Sequence, residues 1–338
     1  MITAVSLALS ACKHMGMDPS FTHLIEQATS GKPEAQLILA RYYFEGRGCK
    51  RDILATERWL NATQAGVMHD ADLEFWVADA FARGDGVESC SDKMRLWLQR
   101  AAEHGLPEAQ LQLARNCCRG DPSKAVQWFM KAAQQRSGEA ARELAICYRD
   151  GTGVETDTEA AIRWFRSAIE LGDADSGYLL WLELKDKGKN ANDFDEAFKW
   201  LTKSAQMGCT SAQADLGLLY ELGKRVDMDM EKAIEWDKEG ALGGDWSAAL
   251  QLGGILVNGT GGVAKSEKEG SMWLEIAAET VPDLSGAVRD RIRARIPEKF
   301  LARAKQDAAQ MIARIKTHKA KQVKDRIRSS GSVPSSAF

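Results

Sequence analysis

Seven tryptophans recur along this chain at nearly constant distance. Trp59, Trp97, Trp128, Trp164, Trp200, Trp236 and Trp273 are 38, 31, 36, 36, 36 and 37 residues apart. Self-similarity at such a period marks a repeat architecture, in which each unit buries its apolar face only against its neighbours. The surroundings recur with the tryptophan. Ala160-Ala161-Ile162-Arg163-Trp164-Phe165-Arg166-Ser167-Ala168 is matched by Ala125-Val126-Gln127-Trp128-Phe129-Met130-Lys131-Ala132-Ala133 and by Ala197-Phe198-Lys199-Trp200-Leu201-Thr202-Lys203-Ser204-Ala205. Ala, Trp and Ala at spacings of three and four form one stripe along a helix, and the Trp and Ala ridges are expected to be what successive helices bury.

A second helix precedes each of these, for example Ala35 to Tyr43, Ala109 to Cys118, Ala140 to Tyr148, Ala212 to Tyr220 and Ala248 to Val257. Ala40, Ala114, Ala145, Gly217 and Gly253 share one position in it, where a small side chain lets the partner helix come close. Glycines mark the joints: Gly46, Gly84, Gly120, Gly151, Gly223 and Gly259 after the first helix, Gly66, Gly105, Gly172, Gly208 and Gly244 after the second. A glycine just past a helix supplies the left-handed conformation that side chains resist. The G-x-G stretches at 46–48, 84–86 and 151–153 therefore read as turns. They lack the preceding strand and the spacing of a nucleotide loop.

The pattern A-x-x-x-L-[G/A]-x-x-Y-x-x-G-x-G-V followed by K-A-x-x-W-x-x-K-A-A-x-x-G resembles the Sel1-like repeat, a relative of the tetratricopeptide repeat. Residues 140–172 match it best, through Ala140, Leu144, Ala145, Tyr148, Gly151, Gly153, Val154, Ala161, Trp164, Ala168 and Gly172. The resemblance implies an all-α fold, a right-handed superhelical solenoid of helix-turn-helix repeats with a C-terminal helical extension. Seven units are expected over 35–279, behind a capping helix at 18–34 in which Leu24, Ile25 and Ala28 face the first unit. Three places depart from the pattern. Gly120-Asp121-Pro122-Ser123 runs straight into the second helix, Trp181-Leu182-Glu183-Leu184 replaces the Leu-Gly-x-x-Tyr stretch, and Val77-Ala78-Asp79-Ala80 is degenerate. A partner could exploit such places.

After Pro282 the repeat stops, and 280–328 reads as a basic helical extension. A short helix is expected over 285–296, with Pro297 at the first position of the next helix. From Glu298 that helix carries Ala304, Ala308, Met311 and Ile315 on one face, a stripe that must lie on the last repeat or on another chain. Residues 329–338 are serine-rich and expected to be disordered. Charge divides the same way. Residues 281–338 hold 14 Lys and Arg against 5 Asp and Glu, a net of +9, and the rest of the chain holds 31 against 43, a net of −12. Arg314 to Arg328 is the densest basic stretch, yet no aromatic stands between Phe300 and Phe338 to stack on bases or anchor in lipid. Nucleic acid is therefore a poor expectation as a partner, and a basic protein surface a better one.

Catalytic chemistry has little to stand on, and neither a cofactor nor a metal is expected. His14, His23, His69, His104 and His318 are scattered, with His104 expected to face solvent. Asp227, Asp229 and Glu231 alternate as in a calcium loop but lack the turn glycine and the distal Glu. Asp70 and Asp72 flank a helix start, where the dipole favours them. The seven cysteines have no CxxC pair, and the internal six read as small apolar side chains. Residues 1–17 are a leader. Their run Leu9-Ser10-Ala11-Cys12 resembles a lipobox, which would make Cys12 a lipid attachment site and the membrane a partner only through that anchor; no Lys or Arg precedes the run. Two locations stay open, the bacterial periplasm as a lipoprotein and the cytoplasm.

What the resemblance implies about function is a role in protein binding without enzyme activity. A solenoid of this kind offers a concave groove for a partner protein. Among Sel1-like proteins are signalling scaffolds, host-interaction factors, and bacterial immunity proteins that neutralise phospholipase effectors delivered by type VI secretion. The immunity role, with a toxin or effector of basic surface as partner, is the specific expectation here. A cytosolic regulatory or structural scaffold and binding of nucleic acid or an anionic surface through the basic C-terminal arm are the alternatives.

Overall fold

The structure, a computed structural model, describes residues 19–63, 68–117, 120–185, 191–282 and 286–329, with side chains in the last helix followed to Thr317. The leader with Cys12, residue Asp18, Gly66, Cys118 and the tail beyond 329 lie outside the described residues. Among the described residues all regular structure is helical. The chain is a repeat solenoid of helix-turn-helix units with a C-terminal helical extension, as the repeat pattern implied.

It divides into two compact units, one ending at Asp157 and one running from Thr158 to Ser330. The N-terminal unit contains α1 (Pro19–Thr29), α2 (Pro33–Glu45), α3 (Ile53–Ala62), α4 (Ala71–Arg83), α5 (Ser91–Glu103), α6 (Pro107–Cys117), α7 (Pro122–Gln134) and α8 (Gly138–Asp150). The C-terminal unit contains α9 (Thr158–Glu170), α10 (Ala174–Lys185), α11 (Ala191–Gln206), α12 (Thr210–Leu222), α13 (Met230–Leu242), α14 (Trp246–Asn258) and α15 (Glu267–Thr280). The extension follows as α16 (Ala287–Arg293) and α17 (Leu301–Ser329).

Local chemistry fixes the boundaries. Asp52, Asp70, Asp121, Ser137, Asp229 and Asp245 each accept a backbone N–H of the first turn they precede, satisfying donors that the helix itself leaves free. Gly151 ends α8 at φ 71° in the left-handed region. Gly153, two residues on, has a second duty. A Cβ there would lie 2.8 Å from the backbone nitrogen of Ser123 at the start of α7. The second glycine of the G-x-G turn is thus a point of close approach as well as a turn.

A recurrent hydrogen bond, not foreseen from the pattern, ties first helices to the helix before. Gln36, Gln110 and Gln213 each donate Nε2 to a carbonyl eight residues earlier, of Ala28, Ala102 and Ala205, at 3.1, 3.0 and 3.0 Å. All three amides are buried. Gln110→Ala is expected to cost about 1–2 kcal/mol by removing two hydrogen bonds, the one it donates to Ala102 and the one it accepts from Gln135, read as a shift in urea midpoint. Gln99→Ala, at the surface, is the control.

The core itself corrects the expectation about the tryptophans. Only Trp97 and Trp273 are fully buried; Trp59, Trp128, Trp164, Trp200 and Trp236 are half-buried. The side chain that goes inside in every repeat is the next one, Leu60, Leu98, Phe129, Phe165, Leu201 and Leu274, with Asp237 in the sixth. One residue is 100° of helix rotation, so the two cannot face the centre equally. Tryptophan lies at the margin of the interface, where a cation covers its face. Lys131 Nζ is 4.0 Å from the ring centre of Trp128, and Lys203 Nζ 5.4 Å from that of Trp200.

Both ends are closed. On α1, Phe21, Ile25 and Ala28 are buried, with Leu24 half-buried, against Ala35 and Leu39 of α2. At the other end Ile292, Ile296, Ala304 and Ala308 join the core of the last repeat around Trp273, with Met311 and Ile312 packed beside them. The stripe on α17 therefore lies on the chain's own last repeat. Pro297 does not begin α17. It precedes a 3-10 turn, Glu298–Phe300, and the α-helix starts at Leu301. The basic extension is partly neutralised there. Arg293 holds the buried carboxylate of Glu275 through Nε and Nη2 at 3.0 and 2.6 Å and also pairs with Glu279, while Lys299 reaches Glu267 at 2.6 Å.

Candidate binding surface

Within each unit the first helices of successive repeats are tied side by side, and the residues next to the buried small position decide what their outer face offers. In the N-terminal unit two of them are arginines satisfied by the neighbouring repeat, while Asp79 on α4 pairs with Arg83 of its own helix and α8 carries half-buried Ile146 there. Arg41 Nη2 lies 2.5 Å from Asp70 Oδ2, with its guanidinium 5.8 Å from the Trp76 ring centre. Arg115 pairs with Glu139 at 2.8 Å and with Glu143. At α2 and α6 this face is tied to the next repeat.

The C-terminal unit differs. At the position of Arg41 and Arg115 stand Leu182 on α10, Leu218 on α12 and Gly254 on α14. Leu179 and Leu182 share one face of α10 by their spacing of three, and Asp215, Leu218 and Leu222 share one of α12. Leu218 is 37% exposed, Leu222 59%, and Met228 in the following loop 63%. Large apolar side chains grouped in this way are what an interaction surface shows.

Carboxylates line the same row. Trp181 Nε1 donates to Asp215 Oδ2 at 3.1 Å, joining α10 to α12, and the Tyr178 hydroxyl donates to the same carboxylate. Ser211 Oγ donates to Asp245 Oδ2 at 3.3 Å, joining α12 to α14. Burial pushes the Asp215 carboxyl above the usual range, opposed by the Trp181 hydrogen bond and by Lys185. Burial also raises Glu221, opposed by Arg295. Tyr178 is pushed up to about 12, by burial first and then by Asp215. Negative charge here exceeds what the surrounding cations neutralise.

Behind this face lies Asp237 of α13, fully buried, at the position that is leucine or phenylalanine in the other six repeats. Its carboxyl abuts Gly217, where a Cβ would collide with it. Oδ2 has no hydrogen-bond partner among the described residues; with its amide turned to donate, Gln251 Nε2 is 3.2 Å from Oδ1. Burial, then Glu221 and Asp245, pushes Asp237 up to about 9, so it is protonated at neutral pH.

The residues singled out from sequence fall elsewhere. Cys12 is outside the described residues. His104 is exposed, as expected, and is nonetheless held: its Nδ1 is 2.6 Å from the buried Glu74 carboxylate, which Arg100 also holds at 3.1 Å, and its ring stacks on His69 at 4.2 Å between centres. Glu74 occupies the position of the recurrent glutamine, which is why it takes these partners. Asp229 is the cap of α13, accepting from the Lys232 backbone at 3.0 Å, and Asp227 and Glu231 are exposed. Among the described residues no three His, Cys, Asp or Glu are grouped to hold a metal ion, and the candidate catalytic side chains form no cluster. Cys147 and Cys209 are buried, with Cys147 pushed up to about 11 mainly by burial, whereas Cys49 and Cys90 are half-buried. No described helix is long and apolar enough to cross a membrane.

The leucine face was missed because it is an absence. Only an aligned register of repeats shows arginine giving way to leucine at 182 and 218.

Comparison with known proteins places this geometry. The Sel1 repeat matches residues 33–62, 73–106, 107–137, 138–173, 183–209, 210–245 and 246–279. The fifth match begins only at 183 and leaves out the stretch of α10 with Leu179, Trp181 and Leu182. No curated protein matches the chain. Among solved structures, a Sel1 repeat protein from Oxalobacter formigenes is 29% identical, over 80% of this chain and 79% of that one, with a TM-score of 0.67. Weaker likenesses, which bear on no functional point, are to a protective antigen of uropathogenic Escherichia coli (22% identical, 96% and 86% covered, TM-score 0.35) and to an immunity protein of Pseudomonas aeruginosa (18% identical, 75% and 86% covered, TM-score 0.41). The seven matched segments span most of the chain, from α2 to α15, and the chain belongs to the Sel1 repeat family.

Proposed function

We propose that this Sel1-repeat solenoid, which acts by binding another protein, holds its partner on the leucine face of the C-terminal unit, and that the partner is a toxic effector kept inactive by the complex. The observation that carries the location is the exposure of Leu218, Leu222 and Met228 beside Asp215, at a position where α2 and α6 carry arginines spent on the next repeat. Neutralisation as the outcome is supported by the family, whose bacterial members include immunity proteins. An acidic body suits an effector with a basic surface.

A photo-crosslinking residue at Leu218, used in the native host, tests both parts. Crosslinks to one protein whose expression alone arrests growth, and whose toxicity co-expression of this chain relieves, are the expected result. Crosslinks from Ile38 of α2 with none from Leu218 would move the site to the N-terminal unit. Rescue that fails while the crosslink holds would leave a regulatory scaffold, the second reading. The location of the chain is read from the mass of the native protein: a diacylglyceryl group on Cys12 is expected if the complex forms at the envelope, and an unmodified Met1 excludes it.

A further inference from the structure

The leucine face has a particular chemistry as well as an exposure. Resting on the reading that this face binds protein, we infer that it takes a basic amphipathic helix, which lays apolar side chains on Leu218 and Leu222 and directs lysine or arginine to Asp215 and Glu221.

Three observations on one surface support this. The apolar part is elongated along α12, with Leu218 and Leu222 one helical turn apart, the spacing at which an amphipathic helix presents its own anchors. The charged part is one-signed where it is least satisfied. Among the described residues Asp215 has Lys185 as its attractive cation but Asp245 as a repelling neighbour, and Glu221 has Arg295. The third observation is a cation already seated on the row. Arg295, from the segment after α16, lies across Gly254 of α14, with Nη2 2.7 Å from where a Cβ would stand and Glu221 within its electrostatic reach. The glycine leaves the room that the guanidinium uses. The next place along the row sets the exposed Leu218 beside the carboxylate of Asp215, with Lys185 of α10 as the cation in electrostatic reach. An acidic helix would meet repulsion here, and a wholly apolar one would bury Asp215 and Glu221 without compensation.

Binding of a cation lowers the pKa of carboxyls that burial has raised, so complex formation releases protons. Affinity is expected to rise as pH increases through the range where Asp215 and Glu221 titrate, and to level off above it.

The test uses the full chain and two synthetic helical peptides of about 18 residues, one of leucine and lysine and one of leucine and glutamate in the same pattern. The expected result is binding of the lysine peptide, weakened roughly tenfold by Asp215→Asn with Glu221→Gln and as much by Leu218→Ser with Leu222→Ser. Titration calorimetry in buffers of different ionisation heat should show proton release. A photoreactive lysine in the peptide should label 211–222. Leu218 and Leu222 are exposed and Asp215 and Glu221 half-buried, Asn at 215 keeps an acceptor for Trp181, and thermal melts check that the variants stay folded. Equal affinity for both peptides, with the leucine variants still weakening them, overturns the basic partner and leaves the protein-binding face standing. Insensitivity to the leucine variants, or labelling confined to other segments, overturns the face itself.

Discussion

Asp237→Leu is expected to stabilise the C-terminal unit by about 4 kcal/mol at pH 7 and to raise its unfolding midpoint by roughly 8 °C. Proton linkage sets the size of the effect. An aspartate unfolds to a carboxyl titrating near 3.8, and in the folded chain it holds its proton up to about 9. Between these values the unfolded state binds fewer protons than the folded state, so stability falls as pH rises, by about 1.4 kcal/mol per unit, and levels off above the folded value. Leucine has precedent in the next repeat, where Leu274 fills the same position against Gly253, as Asp237 does against Gly217. Asp237→Asn removes the charge without restoring the packing, and should flatten the pH dependence while gaining less at neutral pH. Urea unfolding at pH 5, 7 and 9 separates these contributions. A leucine variant no more stable than the parent at pH 7, or a parent whose stability rises from pH 5 to 9, would refute the assignment of a buried neutral acid.

Trp97→Ala is expected to cost the N-terminal unit about 3–5 kcal/mol, and Trp200→Ala, in an equivalent place of the repeat, about 1–2. Trp97 is fully buried and packs with Leu73, Val77 and Leu98 under Arg100. Trp200 is half-buried, with Lys203 5.4 Å from its ring centre, so its removal lets water into a margin that is already partly wet. Repeat proteins lose stability locally, and hydrogen exchange read repeat by repeat is the proper measurement. Equal losses at both sites would mean that the tryptophans, and not the side chains after them, are the centre of each repeat.

These two expectations mark the limit of what periodicity can say. A period near 36 residues, small residues at one position, and glycines after each helix were enough to give the helices, their order and their turns, because those follow from rotation per residue and from conformational preference. The stripe of Ala304 and Ala308 was legible for the same reason. The tryptophans were overrated because a rare side chain is conspicuous in a sequence, while the more common Leu or Phe beside it does the filling.

The candidate surface was less legible. Trp181 was visible as a departure, yet nothing local said that its indole would hold Asp215 thirty-four residues on, or that Leu182 and Leu218 take the place of paired arginines. His104 faces solvent as its position suggests, yet nothing local said that Glu74, where Gln110 and Gln213 set the pattern, would hold its ring. By itself the sequence determined the repeat, the helical class and the division of charge between body and extension, since each is a matter of composition and spacing within the reach of one helix. Which carboxylates stay unneutralised, which leucines stay wet, and which acid is forced to keep its proton were decided only when helices from different repeats were brought together, because solvation and charge pairing depend on neighbours that the chain order does not name.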